Sequence, residues 1–361
     1  MIAGTGAPPA GASRDGRRAR ATTALAGGAL LLGVSMLLSA GTGALPISLG
    51  STIDALVAGL TGRASGLEGA EAIVWNLRLP RVLMAALVGA SLGSSGAALQ
   101  GLFRNPLADP YVLGVAGGAS FGATLAMTLG GRLSEGFSAS PFAPGGAPSW
   151  VPLFASLGAA SAVLIVLALS RGGSRSRTSS LLLAGVVVGT VMISLNECLM
   201  LRDADRLRAV FSWTLGNLAI ANWTDLGRAL PYAAAGMGLL YGLARGLDAL
   251  ALGEDTARTL GVNARALRAG VIVGASLATA AAVSFVGAIG FVGLVAPHVM
   301  RRLGTPGHRV LLPASALGGA ALMVLADLGA RTVIRPAELP VGIITTLAGG
   351  PFFLWLLRRE A

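Results

Sequence analysis

Nine stretches of this chain carry no formal charge over a length close to, or beyond, the roughly 17–25 residues a helix needs to cross a bilayer's hydrocarbon core. They fall at 21–45, 82–103, 111–131, 150–170, 180–196, 229–244, 269–300, 310–326 and 339–357. A hydrophobic fraction of 54% against 12% charged residues, with a mean hydropathy of +0.74, places the chain outside the soluble globular class. The pattern predicts an all-α polytopic membrane protein, and 53 glycines suit helices whose backbones approach through small residues. The run from Ala269 to Met300 is 32 residues long. As one helix it would measure about 48 Å against a core of about 30 Å. Gly287, Gly290 and Gly293 permit a tight reversal, so the run reads as two spans, the second short. Ten spans result.

Arginine placement orients them. Arg14, Arg17, Arg18 and Arg20 precede the first span, and Arg358 and Arg359 follow the last. By the positive-inside rule both ends lie in the cytoplasm, which requires an even number of crossings. Cytoplasmic segments then hold 17 arginines and outer segments 10. Residues 1–20 read as a disordered basic cytoplasmic tail and 21–361 as one transmembrane domain. The first span also resembles a cleavable signal peptide, with a basic start and small residues at Ser39–Ala44, but its apolar stretch is long for that role. Val88–Leu92 (VGASL) recurs as Val273–Leu277. Each copy follows an arginine pair and opens a set of four spans, and in the ten-span topology the copies point in opposite directions, as in inverted-repeat transport folds.

Several chemistries are excluded. All 27 basic residues are arginine, and without lysine the chain has no standard phosphate-binding P-loop and no Schiff base. The net charge of +11 is spread through loops between apolar spans, which fits lipid headgroups and topology rather than nucleic acid. The single Cys198 and the two histidines, His298 and His308, make neither a disulfide framework nor a zinc motif. We expect no catalytic residue, no metal site and no cofactor in this chain.

One charged island interrupts the apolar pattern. In 250–261 (LALGEDTARTLG) Gly253 can open a short helix, Glu254 and Asp255 suit its first turn, and Gly261 is placed to end it. Ala257 and Leu260, three apart, are expected on one small-residue face. The segment is too short and polar to span a bilayer and is suited to its surface.

A set of ordered motifs joins this island: Arg78-Leu-Pro-Arg81, then Asn105-Pro-Leu-Ala-Asp-Pro110, then the Gly287–His298 run, His308–Pro313, Glu338–Thr345 and Gly350-Pro-Phe-Phe. Over about Leu77 to Arg359 the chain resembles the permease subunits of type II ABC importers, the family that carries vitamin B12, ferric siderophores and haem. The resemblance implies ATP-driven import of a large metal chelate, with ferric siderophore first and vitamin B12 or haem as alternatives, across the bacterial inner membrane. It implies a homodimer of permeases, two separate ATP-binding subunits and a periplasmic or lipid-anchored binding protein. By the same resemblance Leu252, Gly253, Glu254, Ala257, Leu260 and Gly261 couple to the ATPase. Arg78, Arg81 and Arg331 dock the binding protein, and Asn105, Leu107, Thr178 and Ser179 form the cytoplasmic gate. Asn105-Pro106 reads equally as a helix stop and Thr178-Ser179 as a helix cap.

Two rivals of other classes remain at this stage. An ion-gradient transporter would explain the repeat and the intramembrane Glu197 but not the charged island. An intramembrane enzyme would need a histidine facing a serine or a metal, and His298 is the nearest candidate. Glu197 lies close to the outer end of its span, where it can reach water. The outer loop 130–149 matches none of the motifs.

Overall fold

The computed structural model describes residues 14–360 except 44, 46, 62–67, 130–149, 171–176, 202–206 and 306. Among these residues every regular element is helical. The order is α1 (Arg14–Gly41), α2 (Leu49–Thr61), α3 (Glu68–Ile73), a π-helical turn (Val74–Arg78), α4 (Leu79–Phe103), a 3-10 turn (Pro110–Leu113), α5 (Val115–Leu129), α6 (Val151–Leu169) and α7 (Arg177–Met200). Then come α8 (Leu207–Thr214), α9 (Trp223–Gly242), α10 (Ala244–Ala251), α11 (Glu254–Thr259), α12 (Ala264–Val286), α13 (Val292–Arg302), α14 (Gly307–Thr332) and α15 (Val341–Glu360).

Six helical stretches are long and apolar enough to cross a membrane: 19–41, 69–103, 151–169, 180–200, 264–286 and 307–332. The remaining apolar runs of the sequence fall on α5, α9, α13 and α15. The 269–300 run divides as its glycines indicated. Gly287 ends α12 at φ 85°, and a Cβ there would stand 1.8 Å from the Trp213 carbonyl oxygen. Phe291 opens α13 at φ 70°. One expectation is corrected: α1 starts at Arg14, so residues 14–20 are helix rather than disordered tail. Alanine and arginine are strong helix formers, and the Thr22 and Thr23 hydroxyls both donate to the Ala19 carbonyl. Residues 1–13 and the loop 130–149 lie outside the described residues.

The core forms where backbones touch. A Cβ on Gly89 would sit 2.1 Å from the Gly319 carbonyl oxygen, and one on Gly319 would sit 2.2 Å from that of Gly89, so α4 and α14 meet at a distance only glycine allows. The first VGASL copy, on α4, packs on α14 and α13, whereas α12, which carries the second, packs foremost on α9, with Gly274 against Gly236, and on α4, and less closely on α6 and α5.

Candidate functional site

The charged island folds as a protruding turn. Gly253 (φ 126°) breaks the chain between α10 and α11, and Gly261 (φ 78°) closes α11, as their lack of a side chain permits. Glu254 sits in the first turn and joins α11 to α12 by a 2.6 Å ion pair with Arg268, while also receiving Arg258 at 3.2 Å. Arg258, Arg265 and Arg268 line an open cleft of about 510 Å³ beside it.

Its outward surface differs from the one expected. Ala257 is fully buried, whereas Leu252 and Leu260 are 70% and 61% exposed and Asp255 projects into solvent. The small residue therefore seats the turn on its own chain. Leu260 already occupies the C-cap, with ψ 8°, so the chain has left the helix and the three-residue spacing no longer keeps it on the Ala257 face. The exposed apolar pair is Leu252 and Leu260, and Leu250 lies buried at the end of α10.

Polar contacts fasten this turn to the bundle. Arg104 ends α4 in the left-handed region (φ 49°) and donates to the Leu250 carbonyl. Asp248 of α10 accepts from the His308 backbone N–H at 2.6 Å and meets its Nδ1 at 2.8 Å. Burial pushes the Asp248 carboxyl up, but the His308 bonds and the Arg309 backbone N–H outweigh it and hold the group below the usual carboxylate range. Gln100 accepts from Arg301 and donates to the Gly293 carbonyl at 3.5 Å.

Asn105 and Leu107, which the resemblance assigned to a gate, follow directly on Arg104. Asn105 Oδ1 accepts from the Leu107 backbone N–H at 2.9 Å, an Asx turn that stops the helix, and Leu107 is exposed. The loop continues to Asp109, which caps the 3-10 turn through the Tyr111 N–H at 2.8 Å. The Tyr111 hydroxyl donates to the Ile289 carbonyl at 2.8 Å and accepts from the Ile289 N–H at 2.7 Å, binding the loop to the break between α12 and α13. Thr178 and Ser179 lie in the first turn of α7, and their side chains are outside the described residues. The 3-10 turn itself packs on α7. The sequence offered one signal for Tyr111, a tyrosine next to a Pro-bounded turn, and none for its partner.

Arg78, Arg81 and Arg331 do converge, but inward. Arg81 grips Asp327 with Nε and Nη2 (3.0 and 2.9 Å) and reaches Glu338 at 2.8 Å. Arg331 contacts the other Asp327 oxygen at 3.1 Å and donates to the Thr42 carbonyl at 3.1 Å. Arg78 donates to the Ala40 and Gly41 carbonyls at 2.9 and 2.8 Å. All three arginines are at most 9% exposed, and Asp327 is fully buried. As they stand these guanidiniums clamp α1, α4 and α14 together. Asp327 was the missed residue. It follows the 310–326 run immediately, and an acid four residues before an arginine at the end of an apolar span was the available signal. Glu197 and Cys198 are exposed on α7. No group of three or more His, Cys, Asp or Glu side chains suited to a metal occurs among the described residues.

Comparison with known proteins supplies the context. Residues 31–359 match the model of the FecCD transport family. The chain is 44% identical over 291 residues to the cobalamin import system permease protein BtuC of Halobacterium salinarum, covering 81% of this chain and 74% of that protein. It is 40% identical to the hemin transport system permease protein HmuU of Yersinia pestis, covering 80% and 84%. With the Fe(3+)-citrate import system permease protein YfmE of Bacillus subtilis it shares 36% identity, covering 92% and 94%. A solved structure in an inward-facing conformation, assigned to the metal-chelate type of ABC transporter, superposes with a TM-score of 0.76 at 30% identity, covering 94% of this chain and 99% of that one.

Proposed function

The chain belongs to the FecCD transport family, the permeases of type II ABC importers, and we propose that it forms the translocating core of an ATP-driven importer for a large metal chelate. Two copies would stand side by side, each crossing the membrane ten times with both ends in the cytoplasm. Separate ATPase subunits would press on the turn at 250–261, and a binding protein would deliver cargo from the outer side. The observation that carries this reading is the protruding turn: an exposed Leu252 and Leu260 on a mount braced by Glu254–Arg268 and Arg104–Leu250. Force applied there would reach the gate loop through Arg104, one residue from Asn105, without nucleotide touching this chain. ATP binding and hydrolysis on the partner would then shift the population between inward- and outward-facing states.

Leu252→Asp with Leu260→Asp tests the mount. Both side chains are exposed, so the purified permease keeps its thermal midpoint while co-purification of the ATPase subunit is lost. Undiminished co-purification would move the docking surface elsewhere. For the cargo we take a ferric siderophore first, on the breadth of the family. Cobalamin is the second reading, favoured by the 44% identity to a cobalamin permease.

A further inference from the structure

The surfaces above leave α2 without a role. At about 100° per residue its 13 residues divide into three faces rather than two. Thr52, Ala55 and Ala58 share one side and are buried. Gly50, Asp54 and Thr61 share another and are exposed. Between them lies a third, Leu49, Ile53, Val57 and Leu60, each at least 42% exposed. Four large aliphatic side chains on one uncovered face are unfavourable in water. A helix with separate protein, polar and apolar faces fits a place where protein, water and hydrocarbon meet.

Three further observations put that place at the membrane surface. Trp75 fastens the buried face, its Nε1 donating to the Ala55 carbonyl at 2.8 Å, and stacks on Trp223 with centroids 6.2 Å apart. Trp223 is the first residue of α9 and is 41% exposed. Tryptophan concentrates where bilayer meets water, and this pair stands beside the π-helical turn that leads into α4. Second, Leu38 of α1 and Leu49 of α2 line one groove, and Leu30 and Val34 farther along α1 are exposed as well, so both helices present uncovered aliphatic side chains. Third, the junction of the two helices holds a groove of about 260 Å³ lined by Leu38 and Ile47 with Arg335 at its edge. A cation beside an apolar groove matches a phospholipid phosphate above its acyl chain.

We propose that α2 is a lipid-binding interfacial helix, with Leu49, Ile53, Val57 and Leu60 in the acyl region of one leaflet, Asp54 in the headgroup water and Arg335 on a phospholipid phosphate. The assignment rests on the chain being a membrane permease and not on its cargo, its copy number or its count of crossings. It is tested with the full chain in phosphatidylcholine–phosphatidylglycerol vesicles. In a Cys198→Ser background, Ile53→Cys, Val57→Cys and Asp54→Cys are each labelled with the polarity-sensitive fluorophore NBD. At 53 and 57 the emission is blue-shifted and quenched several-fold more by lipid bearing a shallow doxyl group than by aqueous iodide, with the order reversed at 54. Iodide quenching at 53 and 57 equal to that at 54 would place the face in water and overturn the proposal. Protection of 53 and 57 from both quenchers would show a protein cover, a second copy included, and overturn it equally. Lipid quenching at 54 would contradict the assignment of the polar face.

Discussion

Asp327 ties α4 to its own helix end through two arginines. Its carboxylate is fully buried between two guanidiniums, and removing one partner of a buried network costs about 3–5 kcal/mol because the charges left behind stay desolvated. Asp327→Ala is therefore expected to lower the thermal midpoint of the purified permease sharply, while Glu338→Gln, at a side chain 40% exposed, costs about 0–1 kcal/mol. Equal midpoints for the two variants would mean the cluster does not hold α4 to α14. Ala257 gives a second prediction. The sequence placed it on a docking surface, where a large charged side chain would uncouple a folded protein. Buried as it is, Ala257→Arg must force open its own packing or bury a charge, an overpacking cost of about 1–3 kcal/mol at least. Its midpoint in detergent should fall even with no ATPase present, and an unchanged midpoint would restore the docking reading.

At the scale of elements, most of what the sequence predicted concerned where helices begin and end, and most of what it missed concerned which way they face. Uncharged runs, the glycine break near 287 and the glycines bounding α11 are local signals, and each appears in the structure close to where it was read. Arg81 and Asp327 are separated by 246 positions, and the pairing of Tyr111 with Ile289 spans 178, so no local pattern announces them. The resemblance named Arg78, Arg81 and Arg331 as a docking set but could not say that Asp327 would tie Arg81 to Arg331. Arg104 shows what the element scale adds. It ends α4 in a backbone conformation that favours glycine and spends its guanidinium on the last turn of α10. Arg104→Gly relaxes the backbone while removing only that link. The variant is expected to fold and to bind the ATPase, yet to move about 5-fold or more less cargo per ATP hydrolysed, the range of typical coupling free energies. Unaltered transport per ATP would remove Arg104 from the transmission route.

Taken whole, the molecule is a helical membrane protein, and among the described residues its inner polar contacts tie helix to helix. The chain has no lysine with which to build a P-loop of its own. The claim at the centre of this account is that transport depends on a partner's ATP hydrolysis. The most direct measurement is uptake of radiolabelled metal chelates (a ferric siderophore, cobalamin and haem in turn) into vesicles containing the permease and its binding protein, with and without the ATPase subunit. Uptake of one chelate that appears only when ATPase and ATP are both present is the predicted result; uptake without the ATPase, driven by an imposed proton or sodium gradient, would contradict it.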